Sequence, residues 1–329
     1  MEDKNLSWSI FQVWNKAIES RKDKEIRPRN RIWASEIGGA YIDRYLKMTG
    51  VEPTNPFDSR ALRKFEAGNM MEWVVELALR RAGIFIDTQE WVAHQYPGLL
   101  EVSGKLDFLA GGKPDWQKAE SEIEEIGLPE FFGRATRAII VYLRSKFPKG
   151  MNEVVLEVKS CSAYMFEKYL ATGADERHKM QAFHYLMAKD MPEAHIIYIS
   201  KDDLRMLECG VFKTPELEKI YKNDIETMSN YYFKKIQPPK ENEIIYDEKT
   251  GKFSSNWKVG YSNYLEMLYG YKNQGDFDDK WKARIAQWNR TLKRVKDNKK
   301  MTELNKQTLH EIEAEGFNIE RFKNGKKTS

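Results

Sequence analysis

The stretch VVLEVKSCS, Val154–Ser162, has the apolar content of a buried β-strand, yet it carries Glu157 and Lys159 two residues apart. Strand side chains alternate faces, so residues i and i+2 point the same way. Val154, Leu156 and Val158 then form one apolar face. Glu157 and Lys159 share the other, near the strand's C-terminal end. Charged groups are rarely buried unless they are paired or bind a metal. Two readings are open: an edge strand with a solvated face, or a site. The spacing alone does not choose between them. An acid two residues before a lysine recurs at Glu2–Lys4, Asp247–Lys249, Asp278–Lys280 and Asp297–Lys299, in polar surroundings without an alternating apolar face.

Outward from this strand, apolar spacing predicts helices near Leu6–Glu19 and Ser35–Met48. A long helix is expected from about Asp58 to Ala82, capped by Asp58 or Ser59 and ended by Gly83. Two strands follow, about Ile86–Ala93 and Glu101–Leu109, joined by a turn at Tyr96-Pro97-Gly98. An insertion, 112–152, carries two helices at about Asp115–Ile126 and Pro129–Lys146. After the Glu157 strand come a helix near Asp175–Lys189 and strands at Ala194–Ser200 and Arg205–Lys213. Beyond Pro215 the chain reads as mostly helical, interrupted by a loop at 237–257. The fold class is α/β: a small mixed sheet flanked by helices, with helical additions at both ends. The expected divisions are an N-terminal helical segment (1–57), a core (58–214) and a C-terminal region (215–329).

The chain has 329 residues, 41% hydrophobic and 12% aromatic, which is ample for a packed core. Its two cysteines, Cys161 and Cys209, form neither a disulfide framework nor a CxxC metal pair, and suit a reducing compartment. The N-terminal stretch contains acids and no long apolar run, unlike a signal peptide. No segment reaches the length of a membrane span. A cytoplasmic location, in a bacterium or a phage-infected host, is the expectation. Net charge is only +4, but residues 280–300 contain nine Lys/Arg against the single acid Asp297. A second basic cluster lies at Arg21–Arg31. Basic segments on a near-neutral body suit a polyanion, although a solvated helix face has the same composition. With Trp281, Ile285, Trp288 and Leu292 packed inward, Lys282, Arg290, Lys293, Lys296 and Lys300 fall on the outer face of a helix, available to phosphates.

Other groups can join Glu157 and Lys159. Asp107 lies between Leu106 and Phe108 in the strand EVSGKLDFLAGG, and neighbouring strands of one sheet could bring it to Glu157. Two carboxylates and a carbonyl such as that of Val158 are a reasonable oxygen set for Mg²⁺ or Mn²⁺, which keep several waters. In the long helix, Glu72 and Glu76 lie four apart. In the later one, Gln181 and Tyr185 do so, and His178, one turn before Gln181, could join their polar face.

The ordered set Gly68-x-x-x-Glu72, Gly104-x-x-Asp107, Glu157-x-Lys159 and Gln181-x-x-x-Tyr185 resembles the RecB-type branch of the PD-(D/E)XK nucleases across about residues 33–200. The resemblance narrows toward CRISPR-associated RecB-like exonucleases and related phage nucleases. It implies a restriction-endonuclease-like core and metal-dependent cleavage of DNA phosphodiesters. Asp107, Glu157 and the Val158 carbonyl would ligate the metal, with Glu72 holding it or a second ion. Lys159 would orient or deprotonate the attacking water, while Gln181 and Tyr185 position the DNA strand and the lysine. The expected activity is exonucleolytic, in phage or bacterial recombination and repair, with recombination or replication proteins as possible partners. An endonuclease with the same site and a non-catalytic DNA-binding protein are the rivals. Members of this branch often carry cysteines within segments that here look like SEIGGAYIDR (Ser35–Arg44) and WKVGYSNY (Trp257–Tyr264). Ala40 (or Gly39), Val259 and Ser262 stand in their places. An iron–sulfur cluster needs thiolate ligands, so none is expected, and Trp257 and Tyr261 are expected to pack the C-terminal helices.

Overall fold

The computed structural model describes residues 9–19, 27–126, 131–248 and 250–319. They form two units, one of residues up to 39, 44–51 and 57–237, the other of 40–43, 52–56 and from 238 onward. Helix α1 (Ile10–Glu19) is followed by the short strand β1 (Arg31–Trp33) and a 3₁₀ turn (Ala34–Glu36). The expected helix from Ser35 to Met48 is interrupted there. Gly38 takes a φ of +75°, a conformation that suits glycine, and α2 begins afresh at Tyr41–Met48. The long helix α3 (Ser59–Arg81) forms as its caps dictate. The Asp58 side chain accepts from the Ala61 N–H at 2.7 Å, satisfying one of the first-turn donors.

The hairpin after α3 departs from the sequence reading. Each expected strand is cut in two, giving β2 (Phe85–Thr88), β3 (Trp91–His94), β4 (Glu101–Lys105) and β5 (Phe108–Gly112). Gln89, with φ of 55°, makes one break; Leu106 and Asp107 make the other. The halves join different sheets. β3 and β4 pair antiparallel, with β1 parallel to β4 on the outer side. β2 and β5 enter a five-stranded sheet of order β2-β5-β6-β7-β8, formed with β6 (Met151–Cys161), β7 (Glu193–Ser200) and β8 (Met206–Phe212). Its pairs are antiparallel except β6 with β7, which are parallel. That parallel pair needs a crossover. It is made by α6 (Ala163–Thr172), a helix not anticipated from the sequence, and α7 (Glu176–Lys189).

Leu156 and Val158 pack with Phe85, Phe108, Ala110, Ile197, Ile199 and Val75 of α3 in one buried cluster. This is the apolar face expected from the alternation. The insertion contributes α4 (Trp116–Ile126) and α5 (Phe131–Lys146). Arg137 lies over the Trp116 ring at 4.6 Å, and Arg144 Nε donates to the Pro114 carbonyl at 2.8 Å. Helix α8 (Pro215–Lys234) completes this unit; its Asp224 receives a buried two-point contact from Arg44, at 2.7 and 3.0 Å.

In the second unit the stretch expected to be a loop contains an antiparallel hairpin, β9 (Ile244–Asp247) and β10 (Lys252–Ser255). Helices α9 (Trp257–Gly260), α10 (Leu265–Tyr269), α11 (Gln274–Lys296) and α12 (Glu303–Ala314) follow. Trp281, Trp288 and Leu292 are buried with Phe253, Phe277 and Ile312, and Ile285 packs against them. The expected packing role of Trp257 and Tyr261 is not realised: they are 37% and 69% exposed, whereas Val259, Ser262 and Tyr264 are buried. The backbone of this segment is turned so that Val259, Ser262 and the Tyr264 ring face the interior in place of those two rings. No described helix is long and apolar enough to cross a membrane.

Candidate active site

The two glycines that precede the candidate acids act through close approach. A Cβ on Gly68 would stand 3.3 Å from Ser160 Oγ, so the glycine lets α3 lie against β6. Glu72 follows one turn later. A Cβ on Gly104 would meet the Ala34 Cβ at 2.8 Å and the Tyr185 hydroxyl at 3.4 Å. Gly104 thus leaves room for Tyr185, which is buried and donates to the Lys105 carbonyl at 2.7 Å. Gln181 Nε2 donates to the same hydroxyl at 3.0 Å. Helix α7 is thereby tied to the end of β4, two residues before Asp107. Gln181 and Tyr185 are both buried. Their hydrogen bonds brace the strand end that leads to Asp107.

Asp107 occupies the corner where β4 leaves for the other sheet. The β5–β6 register ends at Phe108 opposite Leu156. The Val158 N–H, beyond that ladder, donates to Asp107 Oδ2 at 2.7 Å instead. Thr88 Oγ1 and the Gln89 N–H hold the Asp107 carbonyl at 2.9 and 3.2 Å. These anchors depend on the break in the hairpin and were invisible in the linear sequence.

Glu157 is wholly buried on the face of β6 opposite Leu156 and Val158. Its Oε1 is paired with the ammonium of Lys159, while Oε2 is buried without a hydrogen-bond partner among the described residues. The charge of Asp107 raises the pKa of both glutamates of the cluster. Burial, then the charge of Asp107, pushes Glu157 up to about 8 against the pull of Lys159. Burial and Asp107 likewise push Glu72 up to about 7. Burial raises Asp107, with Lys159 and the Val158 N–H opposing it. Burial alone would lower Lys159, but Glu157 and Asp107 outweigh it and hold its pKa above the ordinary lysine value. Glu72, Asp107, Glu157 and Lys159 therefore form one electrostatic cluster. Glu76 is separate: it pairs with Arg80 at 2.7 Å.

His178, one turn before Gln181, meets Tyr198 of β7 at 2.8 Å through Nδ1. Tyr198 reads in the sequence only as part of an apolar strand. Its place opposite Lys159 comes from the parallel register.

Lys282, Arg290, Lys293 and Lys296 are exposed on α11, as its helical spacing predicts. Lys300 is exposed too but lies beyond the helix, which ends at Lys296 before Asn298 turns to a φ of 50°, so it is not on the helix face expected for it. Arg290 contacts Gln287 at 2.9 Å and Lys296 the Gly251 carbonyl at 3.2 Å. Of the other basic cluster, residues 21–26 lie outside the described residues. Arg29 is paired with Glu36 and lies over Trp33 at 5.0 Å, and Arg31 is 3.4 Å from Glu101.

No family model and no curated protein matches the chain. Solved structures that resemble it include SSO0001, at 13% identity and a TM-score of 0.43, covering 78% of this chain and 95% of that one. An alkaline exonuclease from Laribacter hongkongensis, LHK-Exo, shares 10% identity at a TM-score of 0.37, with 68% of this chain and 94% of the other covered. A phage-related exonuclease from Haemophilus somnus 129PT shares 12% identity at 0.28, covering 63% and 96%.

Proposed function

We propose that the chain is a Mg²⁺- or Mn²⁺-dependent deoxyribonuclease of the RecB-type PD-(D/E)XK kind, acting from DNA ends. The observation that carries this reading is the cluster of Glu72, Asp107 and Glu157 around Lys159, at the corner where two sheets part. Two glutamates held up by burial and by the charge of Asp107 are poorly arranged for a purely structural role. No three His, Cys, Asp or Glu side chains among the described residues form a ready-made metal cage. The donors nevertheless fit a hard cation. They are carboxylates, one of them with a buried oxygen lacking a partner, and such cations accept few protein ligands and retain water. Glu72, Asp107, Glu157 and the Val158 carbonyl are the groups that would hold it. A bound divalent ion would supply a water of lowered pKa and offset phosphate charge.

Lys159 orients the attacking water and offsets negative charge on the phosphate. Its raised pKa favours this over proton removal. Gln181 and Tyr185 set the position of β4 and hence of Asp107. Lys282, Arg290, Lys293, Lys296 and Lys300 contribute affinity for the DNA backbone. Recombination or repair in a bacterium or phage, alongside recombination or replication proteins, is the proposed setting.

End-labelled single- and double-stranded DNA, incubated with and without Mg²⁺ or Mn²⁺, tests the reading. Ion-dependent release of nucleotides from linear DNA, with closed circles spared, is expected. Cleavage of closed circles would make the enzyme an endonuclease. Binding without cleavage under every condition would leave only a DNA-binding protein.

A further inference from the structure

One polar group beside this cluster has no part in the reaction described above. His178, Gln181 and Tyr185 lie at spacings of three and four along α7, so they share a face. Across from them, Lys159 and Tyr198 are register partners on the parallel strands β6 and β7. The Tyr198 hydroxyl accepts from the Asp175 N–H at 3.0 Å and lies 2.8 Å from His178 Nδ1. A phenol has a single proton. The Asp175 N–H takes one lone pair of its oxygen, and we assign the proton to Nδ1, which places the hydrogen of the neutral imidazole on Nε2. The ring is fixed on a second side. Tyr169 stacks on Tyr198 with centroids 4.2 Å apart and presents itself to His178 at 6.1 Å. Such bracing is more than a surface histidine requires.

We propose that His178 donates a hydrogen bond from Nε2 to a non-bridging oxygen of a DNA phosphate next to Lys159. This rests on the nuclease reading and adds a substrate-binding residue to it. Nε2 is not among the described buried atoms left without a partner, unlike Glu157 Oε2. It is directed away from Tyr198, since the two nitrogens lie on opposite sides of the ring. Burial, and then the charge of Lys159, lowers the histidine pKa to about 3, so the ring is a neutral donor throughout the working range. A neutral N–H beside a lysine adds a directed contact to phosphate without a second cation to repel the first. Fixed donors of this kind set register on a nucleic acid without reading its sequence.

The test compares wild type with His178→Phe, which keeps a ring against the two tyrosines, and His178→Gln, which restores an N–H donor. Affinity for a short DNA is measured in Ca²⁺, and kcat/KM in Mg²⁺. His178→Phe should lose about 10- to 100-fold, the range of one hydrogen bond to a charged group, and His178→Gln should recover most of that. A single methylphosphonate placed along the substrate should, at one linkage, weaken wild type by a similar factor and leave His178→Phe unaffected. Equal behaviour of wild type and His178→Phe would overturn the contact. So would equal impairment of both variants at unchanged unfolding midpoints. A wild-type chain that binds DNA but never cuts it would instead overturn the nuclease reading, and the affinity ratio in Ca²⁺ would still report on His178.

Discussion

Glu157 and Lys293 are both charged residues on regular elements, but the first is wholly buried on β6 and the second is exposed on α11. At Glu157 the chain removes a carboxylate from water and places other acids nearby, so its charge is costly and its pKa moves. Along α11 the cations point outward while Trp281, Trp288 and Leu292 form the buried side. Charge there costs little, and its effect is long-ranged and open to screening by salt. The difference separates two uses of electrostatics. A buried cluster can do chemistry because its protonation and ligation are under strain. An exposed stripe can attract a polyanion, but it has no means of activating a water.

The largest effect should come from the buried region. Asp107→Ala or Glu157→Ala is expected to reduce cleavage by about 1000-fold or more, the scale of losing a key electrostatic group in an active site. Lys159→Ala should do the same while DNA binding persists. Gel-based cleavage and a separate binding isotherm measure the two. Wild-type turnover by the Lys159 variant would show that the buried cluster is not the seat of the chemistry.

A second expectation concerns pH. A carboxyl with its folded pKa raised from 4.5 to about 8 contributes stability that is fully present below about 4.5 and is lost as pH rises through about 8. The chelated protein should therefore show an unfolding midpoint that falls across that window. Glu157→Gln should flatten the fall, and added Mg²⁺ or Mn²⁺ should reverse it in wild type only. Substituting Lys282 and Lys293 should leave the profile unchanged, since their charges are exposed. A wild-type midpoint that rises between those pH values would contradict the buried, proton-holding state of Glu157.

The exposed region should give smaller changes that depend on salt. Replacing Lys282, Lys293 and Lys300 by alanine is expected to flatten the slope of log K against log salt by about 2–3 units, with similar weakening on every DNA sequence. Turnover at saturating DNA should hardly change. An unaltered slope would assign these lysines to a solvated face. The smallest effect is expected at Gly68→Ala. Alanine gains about 1 kcal/mol in a helix interior, but the new Cβ meets Ser160 Oγ at 3.3 Å. Chemical denaturation should find little net change, whereas Gly104→Ala, with its Cβ 2.8 Å from that of Ala34, should cost about 1–3 kcal/mol.

Periodicity and capping were enough to place α3, α7, α11 and the strand β6. Each has a long run whose apolar spacing fits only one element, and Asp58 and Gly83 mark the ends of α3. Glu157 stands out because a charged pair inside an apolar strand is conspicuous, whereas Glu72 and Asp107 stand out only through the ordered set of motifs. Helix α6 was missed because its ten residues are short and broadly apolar, with Phe166 and Tyr169 buried but Tyr164 and Leu170 exposed. The break at Leu106–Asp107 was missed because nothing in Glu101–Leu109 interrupts its strand-like alternation. Trp257 and Tyr261 misled for another reason: aromatic residues suggest burial, whereas the turn geometry of a short helix decides which side chains face inward.

The mixed α/β character and the buried and open faces of β6 and α11 are written in the chain's own spacing. Those are local properties, set by spacing within one element. Only the tertiary structure decided that Asp107 turns a corner between two sheets, that its carboxylate takes the Val158 N–H, and that Tyr198 lies beside Lys159 to orient His178. These depend on strand register and on pairings between residues far apart in the chain, where a shift of one position would carry every side chain to the opposite face.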